Sequence, residues 1–163
     1  MKHSETLFKE VYQLNYPKVF RLCLGYAKGD DMLASDLCQE VFIKVWENLP
    51  SFRKESAIAT WIYRITVNTC LLYFRNKKRL PIADTTTPIQ ETSCDNTNDT
   101  KENNLNSMYA CIDQLSKDNK SIILLELEGL PQKEIADIMG INHEALRVRI
   151  HRIKNELTKC IKK

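Results

Sequence analysis

Three sets of residues have the types and spacing to do chemistry. The first lies in LPQKEIADIMGINHEALRVRIHRIK, residues 130–154, where Glu144, Arg147, Val148, His151 and Arg152 share one helical face, flanked by Arg149 and Lys154. Guanidinium and imidazole groups on such a face can reach phosphates and guanine edges in a DNA major groove. An ordinary αα-hairpin with a solvated basic face would show the same pattern. The second set is Arg64, Asn68 and Arg75, spaced i, i+4 and i+11 among Trp61, Tyr63, Tyr73 and Phe74, with a basic end at Arg75–Arg79. Cations for phosphates and flat rings for unstacked bases are what a single strand needs. The bland alternatives are a cationic helix C-terminus and aromatic core packing. The third set, Asp36, Glu40 and Lys44, repeats every four residues as a polar stripe beside Gln39 and Phe42. It resembles an exposed face with a Glu40–Lys44 pair, and a docking role does not follow from its spacing.

Metal and nucleophile chemistry find little support. The six cysteines fall at 23, 38, 70, 94, 111 and 160 with no Cys-x-x-Cys pair, and His3, His143 and His151 do not bracket them at ligand spacing. They read as free thiols, mostly small buried hydrophobes. No cofactor is expected. Asp30, Asp31 and Asp36 form the one acidic cluster, and they read better as a helix start than as a catalytic centre.

Helices must position these residues. Leu7, Phe8, Val11, Tyr12, Val19, Phe20, Cys23 and Leu24 recur at spacings of three and four, interrupted by Pro17 as either a kink or a helix start. A second helix is expected after Asp30-Asp31, with Leu33, Leu37, Val41 and Val45 on its apolar stripe and Pro50 stopping it. A third spans about Ala57 to Lys78, with Ile58, Trp61, Ile62, Ile65 and Leu72 apolar. Downstream, Pro131 suits the first turn of a helix and Gly140 a reversal at positive φ. Asn142 suits the N-cap of a helix buried through Leu146, Ile150, Ile153 and Leu157. This is a helix-turn-helix pattern. No stretch alternates long enough to form a competing strand.

The net charge of +3 on 163 residues conceals a three-part layout. Residues 1–79 carry thirteen basic and eight acidic side chains, and residues 105–163 carry ten and eight. Between them, 80–104 holds one basic and five acidic residues, six threonines and no aromatic. Such a segment cannot bury enough surface to offset its ordering entropy, so it reads as a flexible acidic linker rather than a long loop within one domain. The expected architecture is all-α, two small helical domains joined by that linker. No run of apolar residues is long enough to span a membrane. The N-terminus lacks an apolar signal core, which points to a cytoplasmic protein.

In that order, Asp36-Leu-x-Gln39-Glu40-Val-Phe, Trp61-Ile-Tyr63-Arg64-Ile-x-x-Asn68 and the helix-turn-helix resemble the sigma-70 family of RNA polymerase sigma factors, in its small extracytoplasmic-function (ECF) type. The resemblance implies a region 2 domain over 5–79 and a region 4 domain over 105–160, with the linker over 80–104. It implies a non-enzymatic subunit that directs promoter recognition, DNA melting and transcription initiation. Asp36, Gln39, Glu40 and Phe42 would meet core RNA polymerase at its β′ clamp helices, with the β flap as a second contact. The segment from Ser51 to Trp61 would take up an unstacked base of the −10 element, while Trp61, Tyr63, Arg64, Asn68 and Arg75 contact the melted strand. Glu144, Arg147, Arg149, His151 and Arg152 would read the −35 element of promoter DNA. An anti-sigma factor is a further implied partner, with no membrane insertion. Where members carry Gly-Thr-Val-Lys/Arg-Ser-Arg, this chain has Glu144-Ala145-Leu146-Arg147-Val148-Arg149, which removes hydroxyls and adds a carboxylate able to accept from a cytosine amino group. A helix-turn-helix regulator with a helical ligand-binding or dimerisation domain is the alternative.

Overall fold

Asp30 starts the second helix. Its carboxylate accepts from the backbone N–H groups of Met32 and Leu33, satisfying two of the donors that a helix N-terminus leaves free. The computed structural model describes residues 2–79 and 99–163, and among them every regular element is helical. The order is α1 (Lys2–Tyr26), α2 (Asp31–Asn48), a 3₁₀ turn (Leu49–Ser51), α3 (Ile58–Arg79), α4 (Asp99–Asp113), α5 (Lys117–Leu127), α6 (Gln132–Met139) and α7 (His143–Ile161). None of these helices is long and apolar enough to cross a membrane.

Helices α1 to α3 form a bundle around Val19, Leu22, Leu37, Val41, Val45, Ile62 and Val67. Pro17 lies inside the continuous helix α1, so no new helix starts there. Pro50 stops α2 as expected, within the 3₁₀ turn. Leu72, expected in the core, is exposed on α3. The C-terminal unit packs α4 to α7 around Ile112, Ile122, Leu125, Ile135, Leu146, Ile150 and Ile153. Ser116 caps α5 through the Asn119 N–H. The stretch 99–104, read as part of the linker, is the first turn and a half of α4. The rest of the expected linker, 80–98, lies outside the described residues.

The two units pack against each other. Gly25 on α1 lets α5 approach, because a Cβ there would collide with the Leu124 side chain. The hydroxyls of Tyr26 and Ser121 hydrogen-bond across the contact. Arg21 forks onto Glu128, with Nε 3.1 Å from Oε1 and Nη2 3.0 Å from Oε2. Asp113 on α4 binds Lys28 of the N-terminal bundle at 2.9 Å and Lys120 of α5 at 2.9 Å.

The cysteines depart from the expectation of free thiols. Cys111 on α4 and Cys160 on α7 form a disulfide with Cα atoms 5.9 Å apart. Cys23, Cys38 and Cys70 are the buried hydrophobes expected of them; Cys94 lies outside the described residues. The Cys23 and Cys70 sulfurs sit 4.0 Å apart. That contact and burial drive the Cys23 thiol far up, and burial pushes Cys38 up to about 12, so both stay protonated.

Two measurements check this packing. Reduction, or Cys160→Ser, removes a crosslink that closes a loop across 49 positions and should cost about 2–4 kcal/mol, read as a lower thermal midpoint; an unchanged midpoint would mean α4 and α7 are not joined in solution. Burial raises the Asp113 carboxyl, but hydrogen bonds and charge from Lys28 and Lys120 outweigh it and hold it below its ordinary 3.8. Its contribution is therefore complete above pH about 4 and is lost as pH falls through the lowered value. Asp113→Asn should lower the midpoint at neutral pH, and the gap from wild type should narrow as the pH falls below the ordinary carboxylate range.

Candidate nucleic-acid and polymerase interfaces

Three surfaces carry the expected residues. On α2, Asp36, Gln39 and Glu40 are exposed, and Glu40 pairs with Lys44 at 3.4 Å. Lys44 also donates to Thr69 Oγ1 of α3 at 3.2 Å, which ties the stripe to the bundle beneath it. Phe42 lies at the floor of this surface, among the residues that line its groove. It is 4% exposed and packs edge-on to Tyr12 at 4.7 Å, so its part is to support the stripe. The apolar companions are instead Ile43, 57% exposed, and Trp46, 42% exposed. Together with Phe8, Tyr12, Gln39 and Glu47 they line an open groove, with the Phe8 and Trp46 rings T-shaped at 5.1 Å. Ile43 and Trp46 lie four and seven residues after Gln39, the spacing of one helical face, so the signal was present in the sequence.

The second surface joins the 52–57 loop to α3. Ser51, Phe52, Arg53, Glu55 and Ser56 line a depression with Trp61 and Arg64, and Asp137 of α6 closes one side. The rings of Phe52 and Trp61 are 4.9 Å apart. Lys54 holds the loop at φ 57°, in the left-handed region where a side chain is strained. Arg64, Asn68 and Arg75 are exposed along α3, as their spacing requires. Tyr63 is not; it is 5% exposed. Burial, with the nearby Glu128 carboxylate adding to it, pushes its phenol up to about 12. A stacking role for Tyr63 is therefore closed in this arrangement. Thr60, which sequence reading passed over, donates from Oγ1 to Glu134 Oε2 at 3.2 Å.

The third surface is the helix-turn-helix. Gly140 takes φ 69° between α6 and α7, and the Ile141 N–H returns to the Ala136 carbonyl at 3.1 Å. Asn142 caps α7 by accepting from the Glu144 N–H at 2.8 Å. With Leu146, Ile150 and Ile153 turned inward, Glu144, Arg147, Val148, His151 and Arg152 stand in solvent. Arg149 departs from the expectation. Its Nε donates to Asn119 Oδ1 at 2.7 Å and its guanidinium lies 4.0 Å from Asp118, so it braces α7 against α5. Lys154 is likewise engaged, with Glu126 at 3.1 Å.

Comparison with known proteins matches both halves. Residues 11–80 fit the family description "Sigma-70 region 2" and residues 105–157 fit "Sigma-70, region 4". The RNA polymerase sigma factor SigZ of Bacillus subtilis is 30% identical, over 85% of this chain and 78% of that protein. The ECF RNA polymerase sigma-E factor of Haemophilus influenzae is 37% identical, over 84% and 78%. The fold matches that of the sigma factor RpoE solved with the anti-sigma factor NepR from Bartonella quintana, at TM-score 0.72, 22% identity, and 95% and 96% coverage. It also matches CnrH, solved with the cytosolic domain of CnrY, at TM-score 0.72, 16% identity, and 97% and 89% coverage. With both regions present in order and relatives aligned over most of their length, the chain belongs to the sigma-70 family of RNA polymerase sigma factors, in its ECF group.

Proposed function

We propose that the chain binds core RNA polymerase and gives it promoter specificity, reading duplex through α7 and an opened strand through α3. The observation that carries this is the division of labour between two helices of one chain. Helix α7 offers exposed arginines and a histidine on a capped helix-turn-helix, suited to a major groove. Helix α3 offers Arg64, Asn68 and Arg75 beside the Phe52–Trp61 depression, suited to unstacked bases. The exposed Asp36, Gln39 and Glu40 stripe, with the Ile43–Trp46 groove alongside, is the surface we assign to polymerase. Docking there would hold both DNA-reading helices near a promoter at high effective concentration, so that each needs only modest affinity.

In this role the chain performs no chemistry of its own, as sigma factors are non-catalytic initiation factors. Its place of work is the cytoplasm, where polymerase and DNA are found. The sigma factor RpoE, of similar fold, was solved with the anti-sigma factor NepR, and CnrH, also of similar fold, with the cytosolic domain of CnrY; we assign an anti-sigma partner to this chain as well.

Reconstitution separates the two helices' tasks. Core polymerase should start specific transcripts only when this chain is added. Arg147→Ala removes one base-edge or phosphate contact and should weaken closed-complex binding about 5- to 100-fold. Asn68→Ala should leave closed-complex binding near wild type and reduce permanganate reactivity of the opened strand. Identical behaviour of the two variants would overturn the division of labour.

A further inference from the structure

Helix α7 places an apolar side chain in the middle of its basic outward face. Leu146, Ile150 and Ile153 are turned into the core, whereas Val148 is 54% exposed. A lone surface valine is ordinary and implies nothing by itself. The setting of this one is specific. At 3.6 residues per turn, Val148 falls between Arg147 and Arg152 around the helix, with Glu144 one turn before it. Those three neighbours are exposed, and among the described residues none of them forms an ion pair. The flanking cations are engaged, Arg149 with Asn119 and Asp118 and Lys154 with Glu126. The flanks thus hold α7 to α5, and the outward face is left for a partner.

Charge and hydrogen-bonding capacity narrow that partner. Arg147 and Arg152 suit the phosphates and guanine edges of a major groove. The base edges in that groove offer acceptors, amino donors and one apolar group, the thymine methyl. Valine neither donates nor accepts, so the methyl is the edge it can cover without stranding a polar atom. A carboxylate only accepts, so the acceptor edge of guanine repels Glu144 and an amino group suits it. Cytosine presents its amino group with no acceptor beside it on the same base. Both residues lie in the first turns of α7, behind the Asn142 cap, where a recognition helix reaches base edges.

We propose that α7 reads a thymine methyl through Val148 and a cytosine amino group through Glu144. The proposal deepens the initiation reading above and rests on it. One helical turn advances about 6 Å and one base pair about 3.4 Å, so the two bases lie within two base-pair steps of each other. The two contacts work by different physics. Val148 gains by removing two apolar groups from water, while Glu144 acts largely by rejecting guanine. The arginines supply the affinity, and these two side chains set preference at two base pairs.

The test uses holoenzyme reconstituted from core polymerase and the full chain, with a randomised DNA duplex pool as the probe. Selection should enrich an upstream element, recognised as the one that Arg147→Ala no longer enriches. That element should contain cytosine and thymine within two base-pair steps. Replacing its thymine by deoxyuracil removes only the methyl and should weaken closed-complex binding about three- to fivefold. Val148→Ser holoenzyme should bind the thymine and uracil duplexes alike. Glu144→Gln should switch the enriched cytosine to adenine by at least about fivefold, because an amide pairs with adenine N6 and N7. An element without thymine, equal wild-type binding of the two duplexes, or a Val148→Ser holoenzyme that still separates them would overturn the valine contact. An unchanged cytosine preference in Glu144→Gln would overturn the glutamate contact. The uracil comparison needs no variant, so it decides the valine contact whatever the substitutions do to folding. If holoenzyme enriched no duplex beyond core polymerase alone, the initiation reading would fall, and this proposal with it.

Discussion

A buried ammonium organises the contact between the two halves of this chain. Lys120 is 9% exposed, and removing its charge from water costs several kcal/mol unless partners replace the lost hydration. The partners come from three other helices. Asp113 of α4 lies 2.9 Å away, the Tyr26 carbonyl of α1 lies 3.4 Å away, and the rings of Tyr26 and Phe74, from α1 and α3, lie at 5.8 and 5.7 Å. This set exists only when region 4 is seated on region 2. Withdrawing α5 would leave Lys120 with Asp113 and water, and would leave Asp113 without Lys28. The cation thus fixes where α5 lies, and α5 carries Leu124 onto Gly25 and Ser121 onto Tyr26. From there the path through Glu128 to α6 sets Glu134 and Asp137 against α3.

This dependence explains what the sequence could disclose and what it could not. Asp30, Gly140 and Asn142 are local devices: a cap or a positive φ involves only a few neighbouring residues, so residue type and position suffice. The buried stripe of α7 follows from helical spacing alone. Tyr63 and Arg149 are different. Periodicity places Tyr63 on a mixed face and Arg149 on a flank, and whether either meets solvent is decided by helices distant in sequence. Tyr63 is buried with the charges of Glu128 and Glu134 acting on its phenol, and Arg149 is held by Asn119. The depth of Phe42 was hidden for a related reason, because its position next to a polar stripe does not reveal that α1 supplies Tyr12 and Tyr16 to receive it. The Cys111–Cys160 pair was equally hidden, since nothing in a spacing of 49 shows that α4 crosses the last turns of α7.

The polar face of α3 has two uses that compete. Arginine and hydroxyl donors suited to a strand are equally suited to carboxylates and carbonyls, so such a face in a tethered two-unit chain finds an internal partner unless one is denied to it. Region 4 supplies that partner from the first helix of the helix-turn-helix, not from its recognition helix.

The disulfide and the ionic hub meet on one short segment. Cys111 and Asp113 are two residues apart at the end of α4, so the bond to Cys160 also limits where the Asp113 carboxylate can go. Asp113 joins Lys28 to Lys120 only while α4 stays against α7, and with the crosslink open that placement rests on noncovalent packing alone. In region 2 the opposite choice was made. Cys23 and Cys70 lie close in a dry core, where burial and that contact hold the Cys23 thiol protonated. The oxidisable pair therefore sits where it bears on the contact between regions, and the inert thiols sit where they bear only on packing. Among the described residues, the crosslink holds α4 to α7 two positions from the carboxylate that joins Lys28 to Lys120.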